Sequence, residues 1–222
     1  MCKVTKTTSD FLSTAFDHFN KELFQGRLPE CFISLHRKSR AYGYFWQEAF
    51  AERKQDGNNG KAVHEIALNP ETFKGRTDKE ILSTLVHEMT HLEQAEFGQP
   101  SANGYHNKAW ALLMLAVGLH PSDTGQPGGK QTGAQCSHYI IDGGKFDKSC
   151  DKLLARKNAG FNVQAATQSG EQKARAAAKK KSKTKYTCDT CHTNAWAKPE
   201  TQLICGGCYE SAGDVVFMEE EA

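Results

Sequence analysis

His87-Glu88-Met89-Thr90-His91 sets two histidines four positions apart, with a glutamate directly after the first. On a helix, residues four apart lie about one turn apart and project from one face, so both imidazoles can hold one Zn²⁺ at about 2.0–2.1 Å. Glu88 projects about 100° further round, where it reaches a metal-bound water rather than the metal. Two such ligands, a third donor and one open coordination position make a hydrolytic centre. The ordinary alternative is a buried helix with two incidental histidines. The flanking residues favour the metal. Thr77-Asp78-Lys79-Glu80 reads as a capping box. Ile81, Leu85, Met89 and Leu92 then form an apolar stripe distinct from the face bearing His87 and His91. Gly98 and Pro100 supply the stop.

The third donor must come from elsewhere. A glutamate from a following helix, or an H-x-x-G-x-x-H continuation, would define two known zinc-peptidase patterns. The second fails, because Gln94 and Phe97 stand where its glycine and histidine belong. The next histidine is His106, after the loop Gly98–Gly104 and before the apolar helical run Ala109–Leu119. A short loop and a returning helix would carry His106 back to the metal. A lone histidine near a helix start is otherwise a surface or capping residue. The order of motif, loop and return favours ligation.

A second metal site is legible in Cys188-x-x-Cys191 and Cys205-x-x-Cys208, a C-x2-C-x13-C-x2-C pattern. Two such knuckles complete a tetrahedral Cys₄ zinc site with no open position, hence a structural one. Two zinc ions per chain are therefore expected, one catalytic and one structural. So short a segment cannot bury enough apolar surface to fold alone, and the metal would supply much of its folding free energy. Trp196 and Leu203 are its expected apolar contacts. Cys188–His192 also matches the C-x-x-C-H haem-attachment motif, and two disulfides are conceivable. Both need an oxidising or export route, and Met1–Phe11 has no signal-peptide apolar region. Cys2, Cys31, Cys136 and Cys150 show no such pairing and read as free buried thiols. A further site from Cys136, His138 and Cys150 is the alternative.

The elements that must position these groups follow from pattern. Of 222 residues 38% are hydrophobic, enough for one medium domain with appendages. Asp10–Phe24 has helical periodicity. Cys31–His36, Ala41–Ala51 and Ala62–Leu68 read as strands, the last two joined by a turn at Asp56–Gly60. The expected class is α+β: helices on a small mixed or antiparallel sheet in a zincin-like domain over residues 1–120, followed by a small zinc ribbon. Residues 121–170 read as a connecting segment. Within it, Pro121–Gly133 is a mobile stretch, His138–Ile141 and Lys145–Phe146 form a hairpin, and Asp151–Arg156 is a short helix. Residues 171–185 are a basic linker, 186–210 the ribbon and 211–222 an acidic tail. Tyr42, Tyr44 and Trp46 alternate on one strand near Arg37, Lys38 and Arg40, a pattern that either stacks on single-stranded bases or packs on a core; core packing is favoured.

The linker carries seven basic residues against the single acid Glu171, a net +6, so the other residues sum to −4 within a whole-chain charge of +2. Such a block is often only a solvated stretch. Beside a ribbon, Lys179, Lys180, Lys181, Lys183 and Lys185 are also candidate phosphate contacts. The longest apolar run has 11 residues, too few to span a bilayer, so no membrane association is expected. The expected setting is cytoplasmic, with nucleoid association open, and a monomer is favoured.

The chain resembles the SprT-like metallopeptidases, the group related to Spartan. His106 stands beyond His87–His91 at that family's separation. Phe16–Phe24 with Gly26-Arg27-Leu28-Pro29 looks like its opening helix and turn, and Ile66–Pro70 like the strand before its active-site helix. Together with the ribbon the likeness covers most of the chain, more loosely over residues 121–185. It implies a zinc metalloendopeptidase with His87, His91 and His106 on catalytic zinc and Glu88 as general base. It also implies protein substrates, including proteins crosslinked to single- or double-stranded DNA, with DNA gating the activity. Only about a dozen residues follow the ribbon, so the partner-binding tail of larger eukaryotic members is not expected, and a compact bacterial-like member is. Two other readings stay open: a DNA-binding adaptor with purely structural zinc, and a general peptidase indifferent to DNA.

Overall fold

The computed structural model describes residues 2–37, 41–55, 58–101, 104–157, 159–166, 183–213 and 215–220. By contacts the chain divides into two compact units, Met1–Ala165 and Ala166–Ala222. Both are built from the mixed helices and small sheets that the pattern predicts.

In the first unit, α1 (Lys3–Leu23) buries Phe11, Leu12, Ala15, Phe16 and Phe19, an i, i+4, i+8 stripe that turns one face to the core. Near its end the Asn20 side chain bonds both the N–H and C=O of Leu28, at 3.1 and 3.0 Å. The sheet follows: β1 (Cys31–Leu35), β2 (Gly43–Arg53) and β3 (Asn59–Leu68), in the order β1-β3-β2. The middle strand runs parallel to β1 and antiparallel to β2, and its Ile66, Ala67 and Leu68 are fully buried. Of the turn expected at Asp56–Gly60, Asp56 and Gly57 lie outside the described residues. Lys54 N–H closes the connection onto Asn58 O at 3.2 Å.

Helix α2 (Asp78–Phe97) starts at the expected capping box, with Thr77 and Glu80 bonding reciprocally, and ends at Gly98. One stripe was expected to be buried, but the helix is buried on nearly every side from Ile81 to Thr90. It is the central element of the unit. Asn107 caps α3 (Lys108–Val117) through its side chain, and Gly118 closes α3 at a left-handed φ of 94°. A Cβ on Gly118 would stand 2.8 Å from the backbone nitrogens of Lys145 and Phe146, so glycine also permits this close approach.

Residues 121–165, expected to belong to a connecting segment over 121–170 with a mobile stretch at Pro121–Gly133, fall within the first unit. β4 (Leu119–Ser122) pairs antiparallel with β5 (Ser137–Ile140), so His138–Ile141 finds its partner upstream and not in Lys145–Phe146. Lys145 instead opens α4 (Lys145–Leu154), longer than the helix expected at Asp151–Arg156. Phe146, Cys150 and Leu153 are buried in the same core as α1 and α2. His18 of α1 meets the carbonyl of Ser149 at 2.9 Å, and Lys79 of α2 bridges Asp147 and Asp151 at 2.5 Å each. The apolar periodicity of a short helix is what the sequence reading undervalued there.

The aromatic strip of β2 also departs from expectation. Trp46 is 63% exposed and Tyr42 is exposed too, while Phe45 packs on the core. Alternation along β2 turns Gly43 and Phe45 inward, so the even-numbered aromatics lie on the outer face. The Tyr44 hydroxyl donates to Glu65 at 3.1 Å, and the Arg76 guanidinium sits 4.5 Å over the Tyr42 ring.

The second unit is a three-stranded sheet of β6 (Thr184–Thr187), β7 (Asn194–Ala197) and β8 (Glu219–Glu220), ordered β7-β6-β8, with α5 (Gly206–Ala212) rising from the second knuckle. Its apolar contacts differ from those expected. Trp196 is 62% exposed, and Val216 and Met218 pack on the cysteine cluster instead. They reach it because Cys205 and Val216 share a backbone bond of 2.9 Å, as do Met218 and Leu203. Of the basic linker, Lys173, Arg175, Lys179, Lys180 and Lys181 lie outside the described residues; Lys183 is exposed and Lys185 sits on β6. Among the described residues no helix is long and apolar enough to cross a membrane.

Candidate metal centres

His87 and His91 project from α2 into a cleft of about 1380 Å³, which Glu88, His106, Gly43 and His138 also line. His106 reaches them because Asn107 fixes where α3 begins. The Asn107 side-chain oxygen accepts from Trp110 N–H at 2.9 Å and from the Gln94 amide of α2 at 2.8 Å. That anchor leaves His106 one residue before the helix cap. Its backbone pairs with Gly133 through two bonds of 2.9 and 3.1 Å, and Gly133 holds a φ of 151° that suits only glycine.

The ligand-type atoms of His87, His91 and His106 all lie within 4.8 Å of one another. Ring centroids are 5.2 Å apart for His87–His91, 5.5 Å for His87–His106 and 4.9 Å for His91–His106. Beneath them sits Trp110, fully buried, with its ring 4.4–5.1 Å from all three. Sequence reasoning missed this floor, although Trp110, three residues past the helix cap, was the signal available.

Burial holds these imidazoles in the neutral form. It pushes His91 down to about 3, with His106 adding a smaller repulsion, and it pushes His87 well below its ordinary range, aided by His138, His91 and His106. His106 is lowered by burial too, against the opposing pull of the Gly133 carbonyl. Neutral imidazole is the metal-binding form. A carbonyl oxygen can only accept, so the 3.1 Å contact of His106 Nδ1 with Gly133 O puts the proton on Nδ1 and leaves Nε2 bare.

Glu88 is 5% exposed and lies beside Gly43 of β2. A Cβ on Gly43 would stand 2.8 Å from Ala67 O, 3.0 Å from Thr84 Cγ2 and 3.1 Å from Glu88 Oε1. Gly43→Ala is therefore expected to cost about 1–3 kcal/mol of stability and to shift the Glu88 carboxylate. Urea denaturation checks the first effect, and a midpoint equal to wild type would contradict this packing.

The other candidate cluster is Cys188, Cys191, Cys205 and Cys208, whose sulfurs lie within 4.8 Å of one another. Sγ–Sγ distances are 3.7 Å for Cys188–Cys208 and 3.4 Å for Cys191–Cys205. A tetrahedron with Zn–S of about 2.3 Å has edges of about 3.8 Å, whereas a disulfide needs about 2.05 Å. The spacing fits a four-thiolate metal site. Cys136, His138 and Cys150 are not brought together: Cys150 is in the core, and His138 lies against His87. Cys2 is exposed and Cys31 and Cys136 are half-buried, so of the four remaining thiols only Cys150 is fully buried as expected.

A family model described as the SprT-like family matches residues 12–128. An uncharacterized protein in the mucB 3' region of Salmonella typhimurium is 42% identical over 62 residues, covering 28% of this chain and 78% of that protein. The span that the family model matches contains His87, Glu88, His91 and His106 and stops short of Gly133 and His138.

Proposed function

The chain belongs to the SprT-like family, and on that premise we propose that it is a zinc-dependent metalloendopeptidase acting on DNA-associated or DNA-crosslinked proteins. The observation that carries the hydrolase reading is the convergence of three imidazoles, two buried and that of His91 half-buried, in a cleft that Glu88 also lines. The donors suit zinc at both clusters: His87, His91 and His106 would hold a catalytic ion, and the four cysteines a structural one.

Zinc, when bound, polarises the scissile carbonyl and brings the pKa of water towards about 7. The residues of the chain do the rest. Glu88 takes the proton of the attacking water on its carboxylate and returns it to the nitrogen of the leaving amine. β2, an outer strand whose Gly43–Phe45 segment lines the cleft, offers backbone to an extended peptide. The intact carboxylate speaks against an adaptor with structural zinc alone, which has no need of it.

The DNA assignment rests on charge. The net +6 of residues 171–185 precedes the ribbon directly, and cationic runs bind phosphates with affinity that falls as salt rises. Incubating the full chain with a basic DNA-binding protein, with and without single-stranded DNA, is expected to give cleavage that DNA stimulates several-fold at low salt and much less at high salt. Cleavage indifferent to DNA would make this a general peptidase, and no cleavage in either condition would favour the adaptor.

A further inference from the structure

His138 lies ten residues beyond the span that the family model matches. It stands on β5, and its contacts form a hydrogen-bonded row with a fixed direction. At the far end, the Ser83 hydroxyl donates to the backbone oxygen of Glu80 at 2.8 Å. A hydroxyl has one proton, so Ser83 Oγ must accept from His138 Nε2, 2.9 Å away. With its proton on Nε2, a neutral His138 has a bare Nδ1. That atom lies 3.1 Å from His87 Nδ1, which must then be the donor. His87 is left with a bare Nε2, the atom it needs for a metal.

We propose that His138, held by Ser83, is a positioning residue that fixes the tautomer and ring orientation of His87. Gly133 O does the same for His106, so residues 133–138 orient two of the three imidazoles from outside the helix that carries the motif. Metal-bound histidines depend on such partners, and losing one costs roughly 10–100-fold in metal affinity.

The direction of the row can be read without metal, in long-range proton–nitrogen spectra of ¹⁵N-histidine-labelled full chain. Metal-free wild type should show His87 as the single Nδ1–H tautomer, and Ser83→Ala should turn it into a mixture. Zinc affinity of the three-histidine site, measured by chelator competition with the four-cysteine site as internal control, should fall 10–100-fold in His138→Phe. His138→Asn, whose Oδ1 accepts where Nδ1 did, should recover most of it. A mixed or Nε2–H His87 in wild type would overturn the proposal even if every variant failed to fold. So would unchanged zinc affinity in His138→Phe, or a cobalt-substituted spectrum whose coordination changes with that variant, which would make His138 a ligand. The affinity arm rests on the three-histidine zinc site proposed above. The tautomer arm does not, so failure of the hydrolase reading and failure of this one are separable.

Discussion

Glu88→Gln is expected to lower peptide hydrolysis by about 100- to 10,000-fold while leaving zinc content and thermal stability near wild type. The amide keeps the size and shape of the carboxylate, and the site is tight: Glu88 is buried where α2 faces Gly43 of β2. What glutamine cannot do is take a proton from water and return it to an amine. Because Glu88 is not a member of the three-histidine cluster, the metal should stay. Cleavage under single-turnover conditions and zinc by atomic absorption measure the two halves. Activity within tenfold of wild type would remove Glu88 from the chemistry, and loss of zinc along with activity would make it a ligand.

The second large effect concerns the ribbon. Among the described residues, Cys188, Cys205 and Cys208 are joined in its cluster by the partly buried Val216 and Met218, and Tyr186 is buried besides. That is too little apolar burial to offset the ordering of a segment this size. Structural zinc in comparable small sites contributes an apparent 10–16 kcal/mol. Cys205→Ser, which should lose one zinc, or chelation at neutral pH, which should remove the ribbon's zinc along with any other it reaches, should therefore unfold residues 183–220. The first unit has its own core of α1, β3, α2, α3 and α4 and should keep its slow amide exchange. Hydrogen exchange resolved by segment checks this. Protected amides in β6 and β7 without metal would show that the ribbon stands on packing.

These outcomes trace back to how the chain could be read. The capping box at Thr77–Glu80, the four-residue spacing of His87 and His91, and the two cysteine knuckles are local signals, and each appears at its residues in the structure. The long-range partners were not local. His87 and His138 are 51 positions apart, and His106 bridges to Gly133 in the segment between the paired strands β4 and β5. Glycine-rich composition made Pro121–Gly133 look unstructured, yet the same composition supplies the left-handed turns that fold it back. Trp46 misled in the other direction: alternation marked a strand correctly but could not say which face meets α2.

The pairing of His106 with Gly133 bears on how small a working fragment can be. A protein trimmed where the family match ends, at residue 128, would keep all three imidazoles of the cluster. It would nonetheless lose the carbonyl that aims one of them and the strand that carries the neighbour of another. A fragment that keeps the contacts of the first unit runs on to Ala165, where Phe161 packs against Phe11 and Phe73 and Ala165 N–H bonds Pro70 O.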